Sequence, residues 1–244
     1  MIKREVVDKG IQPENQYGFD ESNFIMGQAR KVRVTGRRGA KNTYSQQGGS
    51  RQSVTVMVTI CADGSALTPT AIFKGTKLLK RWGDVNPLEI NIARAKKGYT
   101  NKELGAAWMR DFDGQTHMKN DEPRVLFLDG HNSHYSNALL DYATENGIRV
   151  LGYWARMTHV AQGLDVVCFG ALKIEYGLAR DEYERRTGRE IDGSSFLQVY
   201  AEAHCKIFTT DLVKKAFEKT GIHPWNPDAI SLLNQAPSRE LSTQ

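Results

Sequence analysis

The chain has 244 residues, of which 40% are hydrophobic and 25% are charged, so it can bury a sizeable core and is too apolar for a disordered protein. No uncharged run approaches the ~18 residues of a membrane span, and the charges in residues 1–10 (MIKREVVDKG) argue against a signal peptide. Three cysteines without a CxxC pair predict a reducing compartment, cytosolic or nuclear, and a net charge of +5 favours polyanionic partners such as nucleic acid.

The first predicted elements are strands. A short β pattern over residues 17–20 predicts a strand that ends near Asp20. Apolar and polar residues alternate over 54–60, which predicts a second strand. The turn residues at 62–65 have hairpin chemistry and lead to a third strand over 70–73, antiparallel to the second.

Helices and short strands alternate through the next part of the chain. An amphipathic run with a capping asparagine predicts a helix over 101–112, and the continuous apolar run 125–128 is typical of a central strand buried on both faces. A helix over 136–146, a strand over 148–151 and a long helix over 164–187 follow. This order predicts a mixed α/β sheet with helices packed on its faces.

Three aspartates lie at the ends of these elements. Asp20 is near the end of the first strand, Asp129 ends the buried apolar strand, and Asp165 opens the long helix. Carboxylates gathered at one rim of a sheet repel each other unless cations are present, and hard divalent cations prefer oxygen ligands. Two such ions ~4 Å apart can activate a water or a 3′-hydroxyl in phosphodiester chemistry. Each aspartate can equally be an ordinary turn or capping residue, so the pattern alone leaves both interpretations open.

Five blocks of sequence narrow the choice. They occur in the order YGFDESNF (17–24), VTVMVTICADGSALTPTAIFKG (54–75), VLFLDGHNSH (125–134), THVAQGLDVVCFGALKIEY (158–176) and AFEKTGIHPWNPDAI (216–230). Together they resemble the DDE-superfamily endonuclease domain of pogo-type transposases, in the mariner/pogo group. The resemblance covers roughly residues 15–230.

The resemblance implies an RNase H-like fold, with a mixed five-stranded sheet flanked by helices and a helical C-terminal tail. It also implies three catalytic acids that bind two Mg²⁺ or Mn²⁺ ions. By local match these acids are Asp20 in FDES, Asp129 in LDGHNSH and Asp165 in GLDVVCFG. The implied activity is metal-dependent cutting and joining of DNA strands, in a nuclear protein.

The domain organisation follows from the same blocks. We expect an N-terminal arm over 1–14, a DDE catalytic domain over 15–190 and a tail over 191–244 with helices near 196–208 and 211–219. The catalytic block begins within the first twenty residues, which leaves no room before it for the helix-turn-helix modules that recognise transposon ends in such transposases. We therefore expect a fragment, a decayed copy or a host-adopted remnant.

Basic side chains are the candidates for DNA contact. The stretch 30–41 can neutralise phosphates, and it can equally be a solvated hairpin whose charges protect a sheet edge. The H-x-x-H pair after Asp129 is expected to contact phosphate or to form loop hydrogen bonds, with a transition-metal site as the alternative. The predicted DNA-contacting residues are Arg30, Lys31, Arg33, Arg37, Arg38, Lys41, His131, His134 and Lys173.

DNA is the expected partner, bound mostly through phosphates without sequence preference; the resemblance is compatible with a homodimer, and no membrane partner is expected. Two other functions stay open. One is a non-catalytic nucleic-acid-binding protein that keeps the fold but misplaces its third acid, and the other is a cellular RNase H-like ribonuclease. Convergence of Asp20, Asp129 and Asp165 would distinguish the enzyme from the binding protein.

Glu21 must face away from Asp20 in an extended strand, so it is not expected to bind the same ion.

Overall fold

A computed structural model describes residues 1–27, 52–77, 79–117, 122–129, 136–153 and 158–229. Within them, one sheet has six strands in the order β4-β3-β2-β1-β5-β6. The strands are β1 (Gln16–Ile25), β2 (Ser53–Cys61), β3 (Thr70–Lys74), β4 (Asn91–Ala95), β5 (Arg124–Leu128) and β6 (Ile148–Gly152).

Strand directions make this a mixed sheet, as the sequence predicts. β1 and β2 pair antiparallel, as do β2 and β3, whereas the pairs β3–β4, β1–β5 and β5–β6 are parallel. The expected number of five strands is wrong by one, because β4 was not predicted. Its sequence, NIARA, is short and only partly buried, so it lacks the apolar pattern that identifies the interior strands.

Helices cover both faces of the sheet, which confirms the predicted α/β class. α1 and α2 pack on one face with the core around Met109 and Leu139, and α4, α5 and α6 pack on the other face. Ser136 caps α2, since its side chain accepts a hydrogen bond from the Leu139 amide. The helices are α1 (Lys102–His117), α2 (Asn137–Glu145), α3 (Thr158–Ala161), α4 (Phe169–Thr187), α5 (Phe196–Ile207) and α6 (Thr210–Lys219).

Aromatic side chains fix the central strand β1 from both sides. Tyr17 meets Phe112 of α1 edge-on, with ring centroids 5.1 Å apart. On the other face, Phe24 lies 5.2 Å from both Tyr176 of α4 and Tyr200 of α5. Because odd and even residues of a strand face opposite sides, β1 is buried on both faces and its position is set by two separate cores.

The two ends of the described chain pack against this core. Val6 is buried in the same apolar cluster as Phe196 and Phe217, and Glu5 pairs with Arg149 of β6 at 2.9 Å. The predicted boundaries at 14/15 and 190/191 stay predictions. No helix within the described ranges is both long and apolar enough to cross a lipid bilayer.

Burial of His204 in α5 predicts an acid-sensitive fold. Burial lowers the pKa of this imidazole from 6.5 to about 4, and the ring nitrogen Nδ1 lies 3.2 Å from the Tyr200 hydroxyl. Because the folded protein binds this proton less readily than the unfolded chain, stability is intact above about pH 6.5 and falls as the pH drops towards 4.

Replacement of His204 by Gln should remove this dependence. Between pH 7.5 and pH 5, urea unfolding should show the wild type losing about 2 kcal/mol relative to His204→Gln, since one pKa unit corresponds to ~1.4 kcal/mol. Parallel pH profiles for the two proteins would contradict the burial of a neutral histidine.

Candidate active site

The register of two neighbouring strands brings the first two acids together. β1 and β5 pair in parallel, with Gly18 opposite Phe127. Two residues further along, Asp20 on β1 comes beside Asp129, the residue that directly follows β5. Residues at matching positions of parallel strands face the same side of the sheet, so both carboxylates are directed towards one face.

The strand around Asp20 is longer than expected. The sequence placed Asp20 near the end of the first strand, but β1 runs on to Ile25 because its antiparallel pairing with β2 continues to Ser53. Pairing with β5 ends at Gly18, whereas Asp20 still pairs with Val58 of β2. Asp20 is therefore held in the sheet by β2, beyond the point where pairing with β5 ends and next to Asp129.

The third acid approaches from a helical segment. The predicted long helix is two pieces, a π-helical segment (Leu164–Cys168) followed by α4. The sequence predicts that Val166 shares one buried stripe with Phe169, Leu172 and Tyr176. In the wider π-helical turn Leu164 is buried instead, and Val166 is 40% exposed. Asp165 lies on the exposed side of this segment, and its side chain hydrogen-bonds to Asp20.

The electrostatics of the site are those of crowded carboxylates. Asp20 is only 9% exposed, and burial followed by the charges of Asp165 and Asp129 raises its pKa to about 8. Burial also raises the pKa of Asp165, while the Lys173 charge and the hydrogen bond from Asp20 oppose that rise. The Asp20 and Asp165 side chains lie within hydrogen-bonding reach of each other, and Asp129 is close enough for its charge to raise the pKa of both.

A buried glutamine supports this pair and was not singled out in the sequence. Gln162 is 1% exposed; its Nε2 donates to the Phe19 carbonyl at 3.4 Å, and its side chain also hydrogen-bonds to Asp20. Next to it, a Cβ on Gly163 would come within 2.6 Å of the Ala216 carbonyl oxygen, so the chain here lies directly against α6. The sequence signal that could have identified Gln162 is its polar side chain within the otherwise apolar segment that precedes Asp165.

Of the two charged residues near the acids, Lys173 lies close to Asp165 and Glu21 lies on the other face of the sheet. Lys173 of α4 is near enough to Asp165 to lower its pKa, which puts this predicted DNA-contacting residue beside the acids. Glu21 belongs to β1 but pairs with Met57, whose side chain lies in the core under α1 and α2. Glu21 is therefore on the face away from Asp20, as the sequence predicts.

The other predicted DNA-contacting residues lie outside the described residues: Arg30, Lys31, Arg33, Arg37, Arg38, Lys41, His131 and His134.

The donor set fits a hard divalent cation. Asp20, Asp129 and Asp165 offer only carboxylate oxygens, and a bound cation would offset the repulsion that raises the pKa of Asp20. In the part of the chain that the structure describes, no group of three or more His, Cys, Asp or Glu side chains surrounds a single ion position. The direct contact joins Asp20 and Asp165, and Asp129 interacts with them through its charge.

Comparison with known proteins places this geometry in a family. A model for the DDE superfamily endonuclease matches residues 51–217, which include Asp129 and Asp165. Asp20 precedes the matched region; the register of β1 with β5 brings it beside Asp129, and its side chain contacts Asp165. The MFS-type transporter clz9 of Cochliobolus lunatus is 31% identical over 225 residues, which are 90% of this chain and 24% of that protein. The chain thus spans about a quarter of the length of this relative.

The fold is similar to that of the mariner transposase Mos1. The TM-scores are 0.59 for the Mos1 strand transfer complex, 0.58 for the paired-end complex with Mn and 0.51 for the paired-end complex with Mg. Each Mos1 chain is 10% identical to this chain, so the likeness shows the fold alone. The matches cover 92%, 92% and 89% of this chain but only 56%, 56% and 57% of Mos1. The predicted DDE domain and RNase H-like fold are confirmed.

The raised pKa of Asp20 predicts a stability cost at neutral pH. A carboxyl whose pKa rises from 3.8 to about 8 on folding destabilises the folded protein increasingly between those pH values. In EDTA at pH 7.5, Asp20→Asn should raise the free energy of unfolding by at least about 1 kcal/mol, since one pKa unit corresponds to ~1.4 kcal/mol. The gain should shrink as the pH falls towards 4.

Addition of Mn²⁺ tests whether Asp20 binds a metal ion. The wild type should gain thermal stability from the ion, and Asp20→Asn should gain little because it has lost a ligand. Glu21→Gln is the matched control, an acid-to-amide change one residue along β1 on the other face. Equal behaviour of the two variants would contradict the assignment of Asp20 to the site.

Proposed function

This chain belongs to the DDE superfamily of endonucleases, and on that premise we propose that it is a metal-dependent enzyme, of the pogo type, that cuts and joins DNA strands. The observation that supports this most directly is the contact between Asp20 and Asp165 beside the end of β5. Asp20 and Asp165 come from distant parts of the chain, and Asp129 is near enough for its charge to act on both, which turn or capping roles do not require.

Asp20, Asp129 and Asp165 would hold two Mg²⁺ or Mn²⁺ ions. Such ions, when bound, activate a water or a DNA 3′-hydroxyl and stabilise the departing oxygen. The carboxylate donor set supports this assignment, as do the Mos1 paired-end complexes with Mn and with Mg.

The surrounding residues prepare the carboxylates for this role. Burial and the neighbouring acids raise the pKa of Asp20, so binding of a cation at this carboxylate would be accompanied by loss of its proton. Gln162 holds the Asp20 side chain in position from the buried side. Lys173 places a positive charge next to Asp165, where it can contact a phosphate of the scissile strand.

DNA is the proposed partner. A net charge of +5, the basic stretch 30–41, His131, His134 and Lys173 support phosphate contacts without sequence preference. The fold similarity to the Mos1 strand transfer complex agrees with this partner. A homodimer and a nuclear location belong to the same proposal, and sedimentation of the purified chain and microscopy of a tagged copy test them.

A non-catalytic nucleic-acid-binding protein is the alternative function. That alternative requires a third acid that points away from the other two. The hydrogen bond from Asp20 to Asp165 counts against it, because it directs Asp165 into the site. Binding of DNA without cleavage in Mg²⁺ and in Mn²⁺ would favour it.

A nicking assay tests the enzyme proposal. With supercoiled plasmid and Mn²⁺, the wild type should produce nicked circles, and EDTA should abolish the product. Asp129→Asn should reduce the rate at least about 100-fold, since loss of a carboxylate removes charge that the ions need.

Glu21→Gln should keep wild-type nicking, because Glu21 lies on the opposite face of β1. Nicking that persists in Asp129→Asn would come from a contaminant or another site. Loss of nicking in both variants would point to damaged folding instead of lost chemistry, and circular dichroism distinguishes that outcome.

The salt dependence of DNA binding tests the basic stretch. Each phosphate contact adds about 0.9 to the slope of log affinity against log salt for duplex DNA. Arg37→Glu combined with Arg38→Glu should therefore flatten the slope by up to about 2 if both arginines contact phosphates. An unchanged slope would show that the stretch is a solvated surface.

A further inference from the structure

A second candidate binding site lies beyond the acids, at the other end of β1. It is a cleft of about 620 Å³, a size typical of small-molecule sites, and it is lined by both aromatic and basic side chains. We propose that this cleft binds single-stranded DNA. We call it the basic–aromatic cleft, defined by Phe73, Lys74, Arg81, Trp82, Lys97 and Tyr99.

Trp82 forms a fixed wall of the cleft. Its indole stacks on Phe73 with ring centroids 4.5 Å apart and planes inclined by 19°. A Cβ on Gly193 would come within 2.4 Å of the Trp82 Nε1, so the backbone before α5 packs directly against the indole. The aromatic wall is therefore held from both sides before any ligand arrives.

Tyr99 is presented on a rigid turn and yet is 59% exposed. The turn is closed by a hydrogen bond from the Gly98 amide to the Ala95 carbonyl at 3.0 Å. Thr55 of β2 donates from its hydroxyl to the Gly98 carbonyl at 2.8 Å, in a buried position, and Gly98 has a φ of +78° that favours glycine. A large ring exposed on a turn this well fixed is pre-organised to stack on a flat ligand.

Positive charge surrounds these rings. Lys74, Arg81 and Lys97 are exposed, and among the described residues none of them forms an ion pair. The acidic lining residue, Asp192, is occupied by hydrogen bonds from Ser194, which together with the Arg81 charge lower its pKa. The cleft therefore presents net positive charge to a ligand.

Single-stranded nucleic acid matches this combination of groups. A base offers a flat face for the exposed Tyr99 ring, and the phosphates offer negative charge for Lys74, Arg81 and Lys97. An acidic peptide would use the charges but not the rings, and duplex DNA keeps its bases stacked inside. The choice of DNA over RNA rests on the proposed function.

The cleft lies further along the chain from the acids, at the C-terminal end of β1. Met26, the residue that follows β1, lines it and belongs to the same apolar cluster as Phe24. At a rise of ~3.3 Å per residue, the six steps from Asp20 to Met26 correspond to about 20 Å.

Fluorescence anisotropy of a labelled oligo(dT), measured in EDTA, tests the inference without any cleavage. Tyr99→Ala should weaken binding about tenfold, the size expected for one lost stacking contact, while Tyr99→Phe should stay within about twofold of the wild type. Lys97→Gln should weaken binding and lower the salt slope by about 0.7, the value for one phosphate of a single strand.

Lys215→Gln, which removes an exposed lysine on α6, is the matched charge control and should bind as the wild type does. Wild-type affinity in both Tyr99→Ala and Lys97→Gln would overturn the inference, as would tighter binding of oligo(rU) than of oligo(dT). The binding assay contains no metal, so absence of plasmid nicking would contradict the proposed function without affecting the oligo(dT) result. Wild-type oligo(dT) binding by both cleft variants, with plasmid nicking intact, would contradict only the proposal for the cleft.

Discussion

The burial of a carboxyl group beside two other acids is the constraint on which the rest of this structure depends. Asp20 is almost inaccessible to solvent and its side chain contacts that of Asp165, while the Asp129 charge lies close to both. Such an arrangement destabilises a folded protein at neutral pH unless a cation offsets it. It persists only where the surrounding structure is rigid enough to hold it, and a rigid site of this kind is suited to metal-assisted chemistry.

That rigidity comes from β1. Its two faces pack against different helix layers, through Tyr17 on one side and Phe24 on the other. The register of β1 with β5 then places Asp20 next to Asp129, and the close packing of Gly163 on α6 positions the segment that carries Asp165. β1 also leads from the acids towards the basic–aromatic cleft, so one rigid element sets the distance between the acids and the cleft proposed to bind a DNA strand.

Much of this arrangement could be predicted from the sequence. The apolar run of β5 and the antiparallel β2–β3 pair have strong local patterns, and the five sequence blocks indicated the family and the three acids. Features set by tertiary contacts could not be read locally. β4 is stabilised by pairing with β3 and not by its own composition, and the π-helical turn that directs Asp165 has no sequence signature of its own. Gln162 acts only through its contact with Asp20, which no local pattern shows.

Anomalous diffraction from crystals of the full chain soaked in Mn²⁺ tests the central claim most directly. The account predicts two manganese peaks, each bonded to carboxylate oxygens from the set Asp20, Asp129 and Asp165, with Asp20 bound to metal and no longer hydrogen-bonded to Asp165. In crystals of Asp129→Asn, one or both manganese peaks should be absent. Manganese bound only elsewhere on the surface, with the Asp20–Asp165 hydrogen bond intact, would contradict it.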